Sequence, residues 1–466
     1  HRAAHRVWQS GQPRLGARQR PFLGAEQRDR QAARQLRHDR EADLVRLLRT
    51  NGGAASSGAG SGGGSGSPIS SPSAGNSALL SPLVTQRSWT DSFSDTSASY
   101  LTSYRSSCLT GDGRRVVTWA DDSSVQRNIA SSQAIAAFEA TLCGTNGAVS
   151  RMSQLIGNVW GTVSDPRLIR DTPASPLDIN VVIFSAGKDK GWAGYFYGGD
   201  TFSKSARSES NEALAFYVNA DYMADDLLYT QSLLIHELTH MVFWYQRVIA
   251  RDAPPHDTWL NEMAALMSED IITPALVTTE DQQPYRPMLS YRLLRYLNSG
   301  GGLDLLGWAQ ITKANPYYSM AAAFGAFLNR QYGLAIYKGL VSECLNIDDG
   351  WACLDAVIKK NGGKGVDDDF NRFGLAVFGL SDPRGPSSRY GFPNRVEEGY
   401  VLAGVDLSAY GIYRPWRSPS FSRWSTGMHS YFLERAAVSL FSLTRRGITV
   451  PPRSRLNIMI RQGSGS

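Results

Sequence analysis

The spacing of apolar and polar positions divides the chain into a strand-rich first part and a helix-rich second part. Residues 88–122 read as short strands, with Arg114–Ala120 the clearest. Ser123–Val159 carries a helical pattern broken at Gly144-Thr145-Asn146-Gly147. Leu177–Phe184 opens with alternation, Leu177 and Ile179 against Asp178 and Asn180, and ends in an apolar, β-branched run. That is the pattern of a strand that becomes buried along its length. Gly194–Tyr197 and Ala213–Val218 are two further strands. Then the period changes. Tyr222–Arg251 is largely apolar and free of Gly and Pro, which predicts a mostly buried helix ended by Pro254-Pro255. Asp257 or Thr258 can cap a second helix running to about Ile272, with Pro274 as its stop. Further helices are predicted over 285–298, 317–332, 335–346, 350–360 and 367–379. After about 395 the pattern returns to strands and turns, ending in Ile448–Val450 and Leu456–Ile460. Strands first and helices second, without alternation, predict an α+β unit rather than a doubly wound sheet.

Composition sets the outer limits. Residues 52–77 are almost entirely Gly, Ser, Ala and Pro, a composition that buries no core and behaves as a flexible linker. The predicted organisation is a basic tail (1–51), disordered or not native to the chain, then a linker (52–87), a main domain (88–395) and a smaller β-rich C-terminal domain (396–466). Residues 1–76 are expected to be dispensable. The net charge of +6 belongs to the tail: residues 1–50 hold 12 Arg and 5 acids, which leaves the remainder at −1. The tail offers only Trp8 and Phe22 for base stacking, so nucleic acid is not the expected partner. No apolar run approaches the roughly 18 residues of a membrane span. Cys108 with Cys143 and Cys344 with Cys353 are expected as two local disulfides of an exported protein, the alternative being four buried thiols.

His236-Glu237-Leu238-Thr239-His240 is the strongest chemical signal. Positions i and i+4 share a helix face, so both imidazoles can reach one zinc ion while Glu237 reaches a water held there. The flanks, Leu233-Leu234-Ile235 and Met241-Val242-Phe243-Trp244, are apolar. Buried His and Glu are costly on such a helix unless paired or ligated. A third ligand must come from elsewhere, and His256, Asp257 and Glu262 are the candidates. Glu262 is favoured, because an antiparallel helix after Pro254-Pro255 would carry it past the motif.

The same residues carry a resemblance. His236-Glu237-Leu238-Thr239-His240 followed by Trp259-Leu260-Asn261-Glu262 resembles the gluzincin clan, in which HExxH is joined by a downstream Glu. Gly194-Tyr195-Phe196 with Asp200, Ser210-Asn211-Glu212, Tyr217-Val218-Asn219, and Tyr318-Ser319-Met320 running to Tyr332-Gly333 resemble the hyicolysin family of secreted bacterial zinc metallopeptidases. The similarity spans about residues 175–335. It implies a gluzincin-like unit in which a mixed sheet and a helical subdomain flank the zinc helix. It also implies one catalytic Zn2+ on His236, His240 and Glu262, with Glu237 as general base. Zinc-bound His normally donates its other ring N–H to a carboxylate. The resembling families place an acid seven residues after the ligand Glu, so Glu269 takes that place, with Asp270 as rival. An oxyanion-stabilising Tyr is assigned to Tyr318, with Tyr317 and His429 as alternatives. The Gly-x-Met-Glu-Asn stretch by which aminopeptidase-N-like relatives bind a free amine is absent, which tilts the expectation toward an endopeptidase.

The expected activity is therefore secreted or envelope-associated zinc endopeptidase action on proteins or peptides, by a monomer, with the linker as a possible tether. An extended substrate is expected to add as a strand beside Ala213–Val218. The rivals are an aminopeptidase and a catalytically silent surface-binding protein of the same fold. The intact Glu237 argues against the silent protein.

Overall fold

The computed structural model describes residues 84–91, 98–172, 175–298, 303–306, 314–378 and 388–407, together with Leu44 and Leu48. Six strands form one sheet: β1 (Gln86–Thr90), β2 (Ser99–Leu109), β3 (Arg115–Ala120), β4 (Ile179–Phe184), β5 (Gly194–Phe196) and β6 (Leu214–Asn219), in the order β1-β2-β3-β4-β6-β5. β1, β2 and β3 are antiparallel, β3–β4 and β4–β6 are parallel, and β5 returns antiparallel on β6. Every residue of β4 and β6 is buried. This is the signature of parallel strands covered on both faces, and it explains their unbroken apolar runs. The sheet curls, so that Trp89 of β1 meets Tyr217 of β6 edge-on at 6.2 Å.

One buried polar cluster pins that curl. Asp200 Oδ2 accepts from the Tyr217 hydroxyl (2.6 Å), and Asp200 Oδ1 accepts from the Asn211 amide N–H and Nδ2 (3.0 Å each). Asn211 Oδ1 in turn accepts from the Thr90 N–H (2.9 Å) of β1. Residues that carry part of the family resemblance are thus joined in holding the sheet together.

The helices pack on the sheet and on each other. α1 (Ser132–Leu142) and α2 (Ala148–Ile156) flank the break predicted at 144–147. α3 (Leu227–Phe243) starts at its N-cap Asp226, whose side chain accepts from the Tyr229 N–H. The single helix expected from Tyr222 to Arg251 is in fact a short turn (Ala220–Met223), then α3, then a π-helical extension (Trp244–Ile249). Asp226 explains the interruption, because a side chain that caps from its own position starts a new helix. α4 (Thr258–Leu276) runs two residues past the expected stop at Pro274. In the last turn the missing proline N–H removes only one bond. A π turn (Met288–Arg292) leads into α5 (Leu293–Asn298), followed by α6 (Ala314–Tyr332), α7 (Leu334–Ser342), α8 (Gly350–Lys360) and α9 (Val366–Phe378). α7 stops four residues short of the expected 346, and Cys344 just beyond it has φ +46°. The fold is α+β, as expected.

α4 is the central helix of this layer, between α3 and α6. At Gly325 of α6 a Cβ would lie 2.6 Å from Met267 Cγ of α4, so only glycine permits this approach. The hairpin β7 (Arg395–Glu397) and β8 (Tyr400–Leu402) is tied to the same layer. Arg330 Nε of α6 donates to the Ala403 carbonyl (2.8 Å), and Lys338 of α7 pairs with Glu398 (2.6 Å). The linker at 52–77, the segment 408–466 with its expected strands, and His429 lie outside the described residues. In the basic tail, Leu44 and Leu48 are described. Leu44 is buried in the core at 1% exposure, and the Leu48 carbonyl accepts from Arg167 Nη2 at 3.1 Å. A truncation at residue 76 would thus remove one core side chain.

Both cysteine pairs are at bonding distance, with Cα–Cα separations of 6.1 Å for Cys108–Cys143 and 5.2 Å for Cys344–Cys353. Among the described residues no helix is long and apolar enough to cross a membrane.

Candidate metal centre

α3 and α4 pass each other antiparallel. Ser232 meets Thr273, His236 meets Glu269, and His240 lies near Glu262, so positions rising along one helix fall along the other. A second set of contacts fixes the register. Thr239 Oγ1 lies 2.5 Å from Ser268 Oγ, and Ser268 donates back to the Ala265 carbonyl. These small hydroxyls let the two helices come close while their polar groups stay paired.

His236, His240 and Glu262 converge at this crossing. One ligand atom from each lies within 4.8 Å of the others, and all three side chains are buried. His236 Nε2 is 3.1 Å from Glu262 Oε2, and His240 Nε2 is 3.7 Å from the same oxygen. The other His236 nitrogen, Nδ1, is 2.8 Å from Glu269 Oε1. Glu269 Oε2 also accepts from Ser232 Oγ at 3.2 Å.

The arrangement asks for a cation. A neutral His236 that donates from Nδ1 to Glu269 presents an Nε2 lone pair to a carboxylate oxygen, acceptor against acceptor. Either a second proton or a positive ion must lie between them. Burial disfavours charge on His236, yet its bonds to Glu262 and Glu269 outweigh that and raise its pKa to about 10. Burial likewise pushes Glu262 upward, but the two histidines hold it well below the carboxylate range. His240 Nδ1 and Nε2 and Glu237 Oε2 are buried with no hydrogen-bond partner among the described residues. Two imidazole nitrogens and one carboxylate oxygen are the donor set of a catalytic zinc ion.

The sequence profile of Peptidase M30 matches residues 96–447, which takes in the whole of this site. The chain belongs to the Peptidase M30 family. This is the hyicolysin family, so the resemblance carried by the segments around His236–His240 holds. No curated protein matches the chain. M30 membership makes it a metallopeptidase acting on protein.

The rival ligands are occupied elsewhere. His256 Nε2 donates to the Leu340 carbonyl at 2.8 Å, and burial, aided by the charge of Arg247, pushes its pKa down to about 3. Asp257 is the N-cap of α4 and accepts from the Gly350 N–H at 2.8 Å. Asp270, the alternative to Glu269, pairs with Arg330 Nη1 at 2.6 Å. The Tyr318 ring stands 6.3 Å from the His236 ring, whereas burial and then the charge of Asp304 raise the Tyr317 pKa.

Strand addition beside Ala213–Val218 does not fit this M30 chain. β6 is paired on both edges, to β4 along its length and to β5 from Phe216 to Val218. From Phe216 to Val218 it has no open edge to offer. Sequence reasoning also passed over Ser232, Thr239, Ser268 and Arg292. The first two were accessible by spacing, since they lie four residues before and three after His236. Arg292 carried no signal beyond a charge in a largely apolar segment.

Proposed function

We propose that the protein is a zinc-dependent endopeptidase, exported from the cell and held together by its two disulfides. The supporting observation is the facing pair His236 Nε2 and Glu262 Oε2, with His240 Nε2 3.7 Å from the same oxygen and without a hydrogen bond among the described residues. His236, His240 and Glu262 hold the ion. Zinc bound there supplies Lewis acidity, polarising the scissile carbonyl and acidifying water. Glu237 follows His236 on α3, and its Oε2 makes no hydrogen bond among the described residues. It takes the proton of the attacking water at this oxygen and delivers it to the leaving amine nitrogen. Glu269 keeps the Nδ1 proton of His236 and so fixes which ring nitrogen faces the metal. Tyr318 donates its hydroxyl proton as a hydrogen bond to the developing oxyanion.

Internal cleavage is favoured because the chain lacks the amine-binding Gly-x-Met-Glu-Asn stretch. A peptide blocked at its N-terminus tests this. It should be cut at an internal bond, while an amino-terminal residue amide should be left intact. The reverse preference would mark an aminopeptidase. In the same assay Tyr318→Phe should lower kcat by about 10²-fold with zinc content unchanged, the usual loss on removing one oxyanion donor. Wild-type turnover by Tyr318→Phe would move that role to another residue.

A further inference from the structure

Arg292 is buried at the inner end of the π turn that precedes α5, and its guanidinium reaches the metal centre from behind. Nη2 lies 3.5 Å from Glu269 Oε1, the oxygen that also receives His236 Nδ1. Its Cζ stands 5.8 Å from the ring of Tyr229 on α3, 5.6 Å from Tyr291 and 5.8 Å from Tyr318 on α6. One cation thus touches α3, α4 and α6 together with its own turn. A π turn is an uncommon conformation that recurs at functional sites.

Charge makes the case stronger. Glu237, Glu262 and Glu269 bring three negative charges into one buried region, beside two histidines that are neutral when they ligate. A divalent ion leaves one negative charge over, and Arg292 cancels it. An uncompensated buried charge is costly, so the site is balanced only with both cations in place.

Resting on the zinc reading above, we propose that Arg292 is a positioning residue of the metal centre. Its guanidinium supplies the counter-charge that keeps Glu269 on His236 Nδ1, and the same group holds the Tyr318 ring beside His236. The effect on the metal passes through Glu269, so Arg292 touches neither metal nor substrate.

The test is a double-mutant cycle in the full-length protein, with zinc affinity read by competition against a chelator and folding read by the melting temperature of the metal-free protein. Arg292→Gln should weaken zinc about tenfold, the lower end for loss of a partner behind a ligand. Arg292→Lys, which keeps the charge, should stay within about threefold of wild type. In a Glu269→Gln background, Arg292→Gln should have no further effect on affinity. A lower melting temperature with unchanged zinc affinity would reduce Arg292 to a packing role and overturn the proposal. So would a tenfold loss that persists without Glu269. If Arg292→Gln alone cannot be purified, the Glu269→Gln/Arg292→Gln protein should be recoverable, because the stranded carboxylate is gone. An equally unrecoverable double variant contradicts the proposal. Wild-type protein that binds no zinc would overturn the metal reading itself.

Discussion

Glu237→Gln is expected to lower peptide hydrolysis by about 10⁴-fold while zinc content and melting temperature stay at wild-type values. The side chain is buried at 2% exposure on α3, so a substitution that changed its volume would disturb packing. Gln is close to isosteric with Glu and avoids this. Its amide cannot accept a proton from the attacking water, which removes general-base catalysis, an effect reaching about 10⁴. Glu237 Oε2 makes no hydrogen bond among the described residues, so the change breaks none at that oxygen. Rates should fall in the order wild type, Tyr318→Phe, Glu237→Gln, with zinc in all three. A Glu237→Gln protein that still cleaves at a comparable rate would place the chemistry elsewhere.

His240→Ala is expected to lose both zinc and activity. A three-ligand site that loses one imidazole keeps only His236 and Glu262, which are 3.1 Å apart and would then share a proton instead of an ion. The variant should fold, because among the described residues the ring it removes makes no hydrogen bond and only a 3.7 Å contact with Glu262. Its melting temperature should therefore not rise when zinc is added, whereas the wild-type value should, since a ligand that binds only the native state stabilises it by mass action. Metal content equal to wild type in His240→Ala would refute the ligand set.

The convergence of His236, His240 and Glu262 was the most legible part of the chain because its geometry is local. His236 and His240 are one helical turn apart, and Glu262 and Glu269 lie on the face that an antiparallel neighbour must turn toward them. Helix periodicity alone brings such residues together. The sheet was legible strand by strand but not in its order. The pairing of β6 between β4 and β5 is a long-range choice that leaves no local trace, and it removed the expected place for substrate. Helix ends were displaced where one residue outweighed the general pattern. Asp226 capped a new helix, and Pro274 fell where its missing donor costs little. Arg292 was hidden for a different reason. Its value lies in a charge balance among Glu237, Glu262 and Glu269, and that sum exists only once three separate segments are folded against one another.

Metal analysis of the purified full-length protein, combined with hydrolysis of a blocked peptide before and after a chelator, decides whether a zinc ion at His236, His240 and Glu262 carries the hydrolysis. About one zinc ion per chain is expected, with loss of activity when it is stripped and recovery when zinc is returned. Full activity in protein shown to be free of metal would contradict this expectation.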